Sequence, residues 1–227
     1  KDRRKVKGDY YLSEREEEDL RYLAEMNKPV ILILNAGGPV ELTDILEQTD
    51  NIKGILNISQ LGQEGGDALA DVLLGKEVPG GKLTTTWARR YEDYPASEEY
   101  GYLNGNLEKE KYKEGIYVGY RYFDSFDKKV MFPFGFGLSY TTFEMKCCSI
   151  NMEESKIRAE VQVTNTGNEY AGKEVVQIYV TLPQTELEKE YKRLAGFAKT
   201  RLLKPGETQT LTVEIPQKQL ASFNEET

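Results

Sequence analysis

Carboxylates are the side chains of this sequence that could carry acid/base catalysis. The 227 residues contain 38 Asp and Glu and no histidine. The lack of histidine excludes Ser-His-Asp and Cys-His nucleophile pairs, histidine proton shuttles and nearly all zinc chemistry, and we expect neither a metal site nor a cofactor. A carboxylate pair remains able to hydrolyse a glycosidic bond, since one protonates the leaving oxygen while the other attacks the sugar. Composition alone does not select that pair.

Two glycine-containing loops have the residue types of a ligand-binding turn. Gly37-Gly38 follows the apolar run Val30 to Leu34, but the sequence lacks both G-x-G-x-x-G and G-x-x-x-x-G-K-[ST], so a tight turn is favoured over nucleotide binding. The stretch 63–66 lies at a helix start, where a ligand's oxygens could meet free N–H groups. Glu64 would equally cap its own helix, and this structural interpretation is favoured.

The two cysteines, Cys147 and Cys148, are adjacent. Neighbouring side chains on a strand point to opposite faces, so the pair predicts neither a disulfide framework nor a C-x-x-C site. We interpret both as packing residues. Free thiols favour a reducing compartment, and we therefore expect a cytoplasmic protein.

The net charge of the chain indicates which classes of partner it can bind. Lys and Arg number 30 against 38 Asp and Glu, which leaves a net charge of -8. An acidic surface repels phosphate backbones and anionic headgroups, so neither nucleic acid nor a membrane is expected as a partner. The longest apolar run is far shorter than the roughly 20 residues that cross a bilayer, and no basic-then-apolar leader opens the chain.

Residues 1–140 are predicted to form a mainly parallel α/β-sandwich domain. Ser13 and Glu16 have the spacing of a capping box, ahead of a helix with one buried apolar stripe. The run Val30 to Leu34 is typical of a parallel strand covered on both faces. Alternating helices and strands indicate the parallel layer, and the further elements are predicted at Thr43 to Gln48 (helix), Gly54 to Ile58 (strand) and 68–73 (helix, closed by Gly75).

Residues 141–227 change to a period of two, which predicts an antiparallel β-sandwich. An immunoglobulin-like or fibronectin-type sandwich needs about seven strands, so this one is predicted to be incomplete, with its last strands missing. The fold class is thus α/β plus all-β, and about five strands are predicted in the second half, at 143–152, 156–165, 173–182, 193–203 and 207–216.

Residues 88–140 connect the two halves and are rich in Tyr and Phe. Aromatic faces can stack on sugar rings. The favoured interpretation is that they pin a long ordered connection onto both domains.

Several motifs resemble one known family. The motifs GQEGGDALADVLLG (62–75), PGGKL (79–83), EGIYVGYRYFD (114–124) and FPFGFGLSY (132–140) resemble the C-terminal α/β-sandwich domain of glycoside hydrolase family 3. The later motifs NTG (165–167), GKEVVQIYV (172–180) and LKPG (203–206) resemble that family's fibronectin type III-like domain. The resemblance covers essentially the whole chain, and the segment 7–13 with the Tyr-rich insertion is most similar to bacterial β-glucosidases.

The resemblance implies retaining hydrolysis at the non-reducing end of a β-glucoside, through a glycosyl-enzyme intermediate on an Asp of a (β/α)8 barrel. The barrel is not among these residues, and it precedes or, in permuted members, follows this segment. The family's acid/base Glu lies in a Gly-Glu-Gly stretch directly before an Asp-Arg pair. Asp2 and Arg3 match that pair, so the Glu is expected just upstream of Lys1 and no catalytic residue is expected in the chain.

Asp2 and Arg3 are the candidate site residues, as substrate-binding or loop-supporting groups. Arg3 would hold the acid/base loop through a bidentate carboxylate contact, and a solvated terminal charge is the alternative.

Two functions are left open for the chain. The first, favoured by the family motifs, is a segment of a β-glucosidase that shapes one side of the active site and supports the barrel domain. The second is a non-catalytic carbohydrate-binding or scaffolding module. The expected partners are a β-glucoside or oligosaccharide and the barrel domain of the same protein, and a homo-oligomer is left open.

Overall fold

A parallel strand pair organises the N-terminal half. The computed structural model describes residues 4–99, 108–109 and 111–224. Strands β1 and β2 pair in parallel, as predicted, and a small antiparallel pair, β3 with β4, was not foreseen. In chain order the elements are α1 (Glu14–Glu25), β1 (Val30–Leu34), α2 (Thr43–Gln48), β2 (Ile52–Asn57), α3 (Gly65–Leu73), β3 (Trp87–Ala88), α4 (Tyr120–Ser125) and β4 (Val130–Phe132).

Helix α1 begins at the predicted capping box. The Ser13 hydroxyl accepts the N–H of Glu16, and the Glu16 carboxylate accepts the N–H of Ser13 at 2.8 Å, which satisfies two N–H groups that a helix start leaves unpaired. The prediction of a buried stripe is wrong, because no residue of α1 is buried. Leu20 packs against the core of this half but is only partly buried.

Strand β1 is covered on one face instead of the predicted two. Leu34 is buried in a cluster with Leu42 and Trp87, whereas Ile31 and Ile33 on the opposite face are 54% and 37% exposed. An apolar run of this kind needs cover on both sides. The described residues supply that cover only on the side of α1 and α2.

The C-terminal half is the predicted antiparallel sandwich. One sheet has the order β5-β6-β9 and the other pairs β7 with β8. Between them lie fully buried side chains such as Val163, Leu203 and Ile215. The strands are β5 (Phe143–Met152), β6 (Lys156–Asn165), β7 (Val175–Val180), β8 (Arg193–Lys199) and β9 (Thr208–Pro216).

Past Phe143, which packs against the buried cluster around Val163, the core-facing side of β5 is uncovered. Met145 lies opposite Val163 and Ile150 lies opposite Ala159, so each pair shares one face of the sheet. Val163 and Ala159 are 0% and 3% exposed, but Met145, Ile150 and Met152 are 46%, 65% and 85% exposed. Within the part of the chain that the structure describes, the two-stranded sheet covers β6, β9 and the start of β5 at Phe143, but not the rest of β5.

The cysteines do not follow the expected strand alternation. The register of β5 against β6 shifts between Cys147 and Ser149, so an extra residue interrupts the period of two. Both cysteines are free and exposed. The interpretation as packing residues is therefore wrong.

Lysines tie the two halves together. Lys82 donates to the carbonyl of Gly137 at 2.7 Å and forms an ion pair with Glu174 at 2.8 Å, with both side chains mostly buried. Lys199 in β8 donates to the carbonyl of Gly80 at 2.7 Å. A Cβ on Gly137 would lie 2.3 Å from the Gly81 carbonyl oxygen, so only glycine fits there. The 79–83 motif thus joins the halves.

Rings of the connecting segment pack against the sandwich, which is the role predicted for them. Tyr120 contacts Phe134 at a centroid distance of 5.0 Å and Tyr179 of β7 at 5.8 Å. No described sheet crosses residue 140, and the exact boundary there stays a prediction.

Candidate functional site

The predicted site residues Asp2 and Arg3 lie outside the described residues. The structure describes the turn that follows them directly. Arg4 donates its backbone N–H to the Asp9 carboxylate at 2.8 Å, and Tyr10 donates its N–H to the Arg4 carbonyl at 3.2 Å. Gly8 has a φ of +78°, which favours glycine, and it donates to the Tyr11 carbonyl at 2.9 Å. A compact turn therefore begins immediately after the Asp-Arg pair.

Tyr10 anchors this turn in the fold. Its side chain is 4% exposed and meets the rings of Tyr91 and Tyr94 edge-on, at centroid distances of 4.9 and 6.3 Å. Its carbonyl accepts the N–H of Glu41 at 3.2 Å. The turn is thereby held between the loop after β1 and the 3-10 turn Tyr91–Asp93.

Glu41 is the most enclosed carboxylate beside the turn. Its side chain is 11% exposed, and it accepts the N–H of Tyr91 at 2.8 Å and a guanidinium N–H of Arg90 at 3.2 Å. Burial raises the pKa of Glu41 despite both hydrogen bonds. Arg90 also contacts Asp44 at 2.5 Å, and this hydrogen bond lowers the pKa of Asp44. Glu41, Arg90 and Asp44 thus form one network of paired charges.

Lys5 fastens the turn from its outer side. It forms an ion pair with Glu92 and lies 5.3 Å from the centroid of the Tyr91 ring. The hydrogen bond from Lys5 lowers the pKa of Glu92. The residues next to Asp2-Arg3 are therefore held by hydrogen bonds, ring contacts and an ion pair.

A cavity of about 670 Å³ opens between α1 and the carboxyl end of β1. Asn35 and Gln60 follow the two parallel strands, and ligands of open α/β sheets bind at such strand ends. Among the residues that the structure describes, no Lys or Arg lines this cavity. Its polar lining consists of Asp9, Tyr11, Glu16, Asp19, Asn35 and Gln60.

The other candidate features carry no chemistry in the structure. Glu64 is at the N-cap position of α3, but its side chain makes no capping hydrogen bond, so the predicted cap is wrong. A Cβ on Gly37 would lie 3.8 Å from the Gln60 amide, an ordinary van der Waals distance, so the turn does not require glycine there. Residues 4–99, 108–109 and 111–224 contain no group of three or more Cys, Asp and Glu that could hold a metal ion. Among these residues no helix has the length and apolar character of a membrane span.

Sequence reasoning missed Glu41, Arg90 and Lys82. Their partners lie 49 to 92 positions away in sequence (41 to 90, 82 to 174), so no local spacing signals them.

Family comparisons cover most of the chain. The model described as glycosyl hydrolase family 3 C-terminal domain matches residues 2–120. The model described as fibronectin type III-like domain matches residues 174–227.

Individual relatives match nearly the whole chain. Beta-glucosidase A of Butyrivibrio fibrisolvens is 42% identical over 96% of the chain and 28% of its own length. A beta-glucosidase of the yeast Kluyveromyces marxianus is 38% identical over 95% of the chain and 25% of its own length. The relatives therefore include both bacterial and yeast proteins.

Solved structures share the fold. Beta-glucosidase 3B from Thermotoga neapolitana, in complex with α-D-glucose, gives a TM-score of 0.90 at 44% identity, over 99% of this chain and 31% of its own. A beta-glucosidase from Paenibacillus barengoltzii gives 0.94 at 38% identity, over 99% and 25%. The chain thus spans between a quarter and a third of the length of these proteins.

Proposed function

This chain belongs to glycoside hydrolase family 3, and from that premise we propose that the protein containing it is a retaining β-glucosidase acting on terminal non-reducing β-D-glucosyl residues. The observation that carries the proposal is the match to relatives named beta-glucosidase over 95 to 96% of the chain. The glucose-bound structure with a TM-score of 0.90 supports a glucoside as substrate.

The proposed role of this segment is to position the acid/base loop. The compact turn after Asp2-Arg3, with Tyr10 buried and Asp9 bonded to Arg4, would fix the end of a loop that carries the acid/base Glu just upstream of Lys1. Asp2 and Arg3 would support that loop or contact substrate. Retaining hydrolysis needs two carboxyl groups about 5 Å apart. The second one, the nucleophilic Asp, would come from the barrel domain, as the family resemblance implies.

The proposal also covers the partners, the compartment and the source of the protein. The partner is the barrel domain of the same protein, and the uncovered side of β5 supports self-association. Two free thiols favour a reducing, cytoplasmic setting. Identities of 42% and 44% to two bacterial proteins support a bacterial source.

The test compares the full-length protein with this chain. The full-length protein should hydrolyse an aryl β-glucoside and release β-glucose first, as followed by NMR of the anomeric protons. The purified 227-residue chain should show no turnover, because both proton transfer and covalent catalysis are lost.

Two outcomes would contradict the proposal. Absence of β-glucoside hydrolysis by the full-length protein would overturn the function. Turnover by the chain alone, with a preparation from the same host lacking the chain as the control, would place catalytic carboxylates within these residues.

A further inference from the structure

Glu41 supports the turn of residues 4–11 by two routes. Its backbone N–H donates to the Tyr10 carbonyl at 3.2 Å, and it pairs with Tyr11 in an isolated parallel bridge. Its carboxylate accepts the N–H of Tyr91 at 2.8 Å, and the Tyr91 ring meets the Tyr10 ring edge-on with centroids 4.9 Å apart. One residue therefore contacts the turn directly and also holds the ring that packs against it.

The contacts of the Glu41 carboxylate are shielded from solvent. The Glu41 side chain is 11% exposed and Tyr91 is 4% exposed. A buried N–H that loses its acceptor is costly, so without this carboxylate the segment around Tyr91 has to shift until its N–H meets another acceptor. Arg90 would keep Asp44 as its partner and would not restore the lost contact.

The position of the turn bears on catalysis through its N-terminal end. The turn begins at Arg4, directly after Asp2-Arg3, and the Arg4 N–H donates to the Asp9 carboxylate at 2.8 Å. In the proposed function the acid/base Glu lies just ahead of this pair, so a displaced turn displaces the loop that carries it. A general acid acts only within hydrogen-bond reach, about 2.6 to 3.2 Å, of the atom that it protonates. A shift of about 1 Å is therefore enough to lower the rate.

We propose that Glu41 is a positioning residue for the general acid of β-glucoside hydrolysis. It fixes Tyr10 and Tyr91, and through them the end of the loop that carries the acid/base Glu. The inference rests on the proposed function, in which the two catalytic carboxyl groups lie outside this chain. Glu41 acts through these contacts and exchanges no proton with the substrate.

The first step of the reaction reports on the general acid. The nucleophilic Asp forms a bond to the anomeric carbon while the bond to the leaving oxygen breaks, and the acid/base Glu gives its proton to that oxygen. A 2,4-dinitrophenolate is stable as an anion and leaves without this proton, whereas the more basic phenolate needs it. A misplaced acid therefore slows the phenyl β-glucoside selectively. A general loss of structure slows both substrates equally.

The experiment measures kcat/KM of the full-length protein on phenyl and 2,4-dinitrophenyl β-glucoside, since kcat/KM includes this first step. In Glu41→Ala we expect a loss of at least about tenfold on the phenyl glucoside, within the roughly 10²- to 10⁴-fold that general acid catalysis supplies. On the dinitrophenyl glucoside the loss should stay below about twofold, because no proton is needed. Glu41→Gln should restore most of the lost kcat/KM, because its amide oxygen still accepts the Tyr91 N–H.

Glu47→Ala is the matched control. Glu47 lies on α2 and pairs with Arg89, the neighbour of Arg90, but it is 55% exposed and this ion pair does not involve the turn. It should hydrolyse both glucosides like the parent, and circular dichroism should show that every variant is folded. If Glu41→Ala does not fold, Glu41→Asp takes its place with the same expected pattern, because its shorter side chain draws the carboxylate back from Tyr91.

The outcomes separate the positioning role from the proposed function. Equal losses on the two glucosides in the Glu41 variant, or no loss on either, overturn the positioning role while the β-glucosidase function stands. The same selective loss in Glu47→Ala would overturn it as well. A parent protein that hydrolyses neither glucoside overturns the proposed function, and the positioning role with it.

Discussion

Glu190 is a buried carboxylate that joins three parts of the molecule. Its side chain is 2% exposed and receives two hydrogen bonds from Arg193, at 2.5 and 3.2 Å. Arg121 of α4 lies 3.7 Å away, and Arg193 also donates to the carbonyl of Ala221 at 2.7 Å. Burial by itself would raise the pKa of Glu190, but the hydrogen bonds and positive charges outweigh it and the pKa is lowered.

This lowered pKa predicts a pH dependence of stability. A carboxyl with a folded pKa below its unfolded value of 4.5 stabilises the fold fully above that pH, and the contribution is lost as pH falls through the folded pKa. In Glu190→Gln we expect a lower free energy of unfolding at pH 7, and the difference from the parent should shrink as the pH falls below 4.5. Urea unfolding at several pH values measures this.

The control for Glu190 is Glu154→Gln, at an exposed position in the turn between β5 and β6. Its difference from the parent chain should stay small at every pH. A Glu190→Gln difference that is constant with pH would contradict the lowered pKa.

At the level of single residues, the sequence predicts contacts only between residues that are close together in the chain. Ser13 and Glu16 are three residues apart, so the capping box was predictable and is confirmed. Glu41 and Arg90 meet only through the fold, and Cys147 is exposed because its side of β5 lacks cover, which no local pattern indicates. Asp2 and Arg3 stay predictions, because they lie outside the described residues.

At the scale of elements, the 79–83 motif acts as a clamp between the halves. Lys82 and Glu174 are 16% and 12% exposed, so loss of the cation leaves a nearly buried carboxylate without its partner. We expect Lys82→Met to lower the free energy of unfolding by about 2 kcal/mol. Calorimetry should show the two halves unfolding at more widely separated temperatures than in the parent chain, because they are no longer coupled.

Lys76→Met is the matched control for the clamp. Lys76 pairs with Asp71 on the surface, at 67% and 41% exposure, and such pairs contribute little. Its unfolding should resemble that of the parent chain. A Lys82→Met chain that unfolds like Lys76→Met would show that the halves do not depend on the clamp.

Strand and helix types were predictable because periodicity reports which faces are buried. The strand predictions 143–152 and 156–165 coincide with β5 and β6. The prediction 193–203 overran β8 by four residues, since the backbone after Lys199 turns to pair Leu203 with Gly172. The burial of β1 and α1 was predicted to be greater than it is. An apolar run shows that a segment is suited to burial, but it does not show that another element packs against it.

At the scale of the whole molecule, the incomplete cover of the sandwich predicts self-association. The core-facing side chains of β5 are exposed, and an exposed apolar strand at a sheet edge invites further pairing. We expect the chain to associate at high concentration. Ile150→Lys with Met152→Lys should shift it towards monomer in sedimentation velocity, and the melting temperature should change little because both side chains are already exposed.

Leu202→Lys provides the control, since Leu202 is 52% exposed and lies outside β5. It should leave association as it is in the parent chain. A parent chain that is monomeric at high concentration would count against the prediction, as would equal effects of the two changes.

Cys147 is a chemical probe on this uncovered side, just ahead of the bulge in β5. Cys147 lies opposite Val161, on the same face as Met145, and its thiol is exposed. Cys148 is exposed as well, so in a Cys148→Ser chain a maleimide dye would react at Cys147 alone and its rate would report on that face. Any segment or second molecule that covers β5 would slow the labelling. The labelling rate therefore measures how far this side of the sandwich is covered.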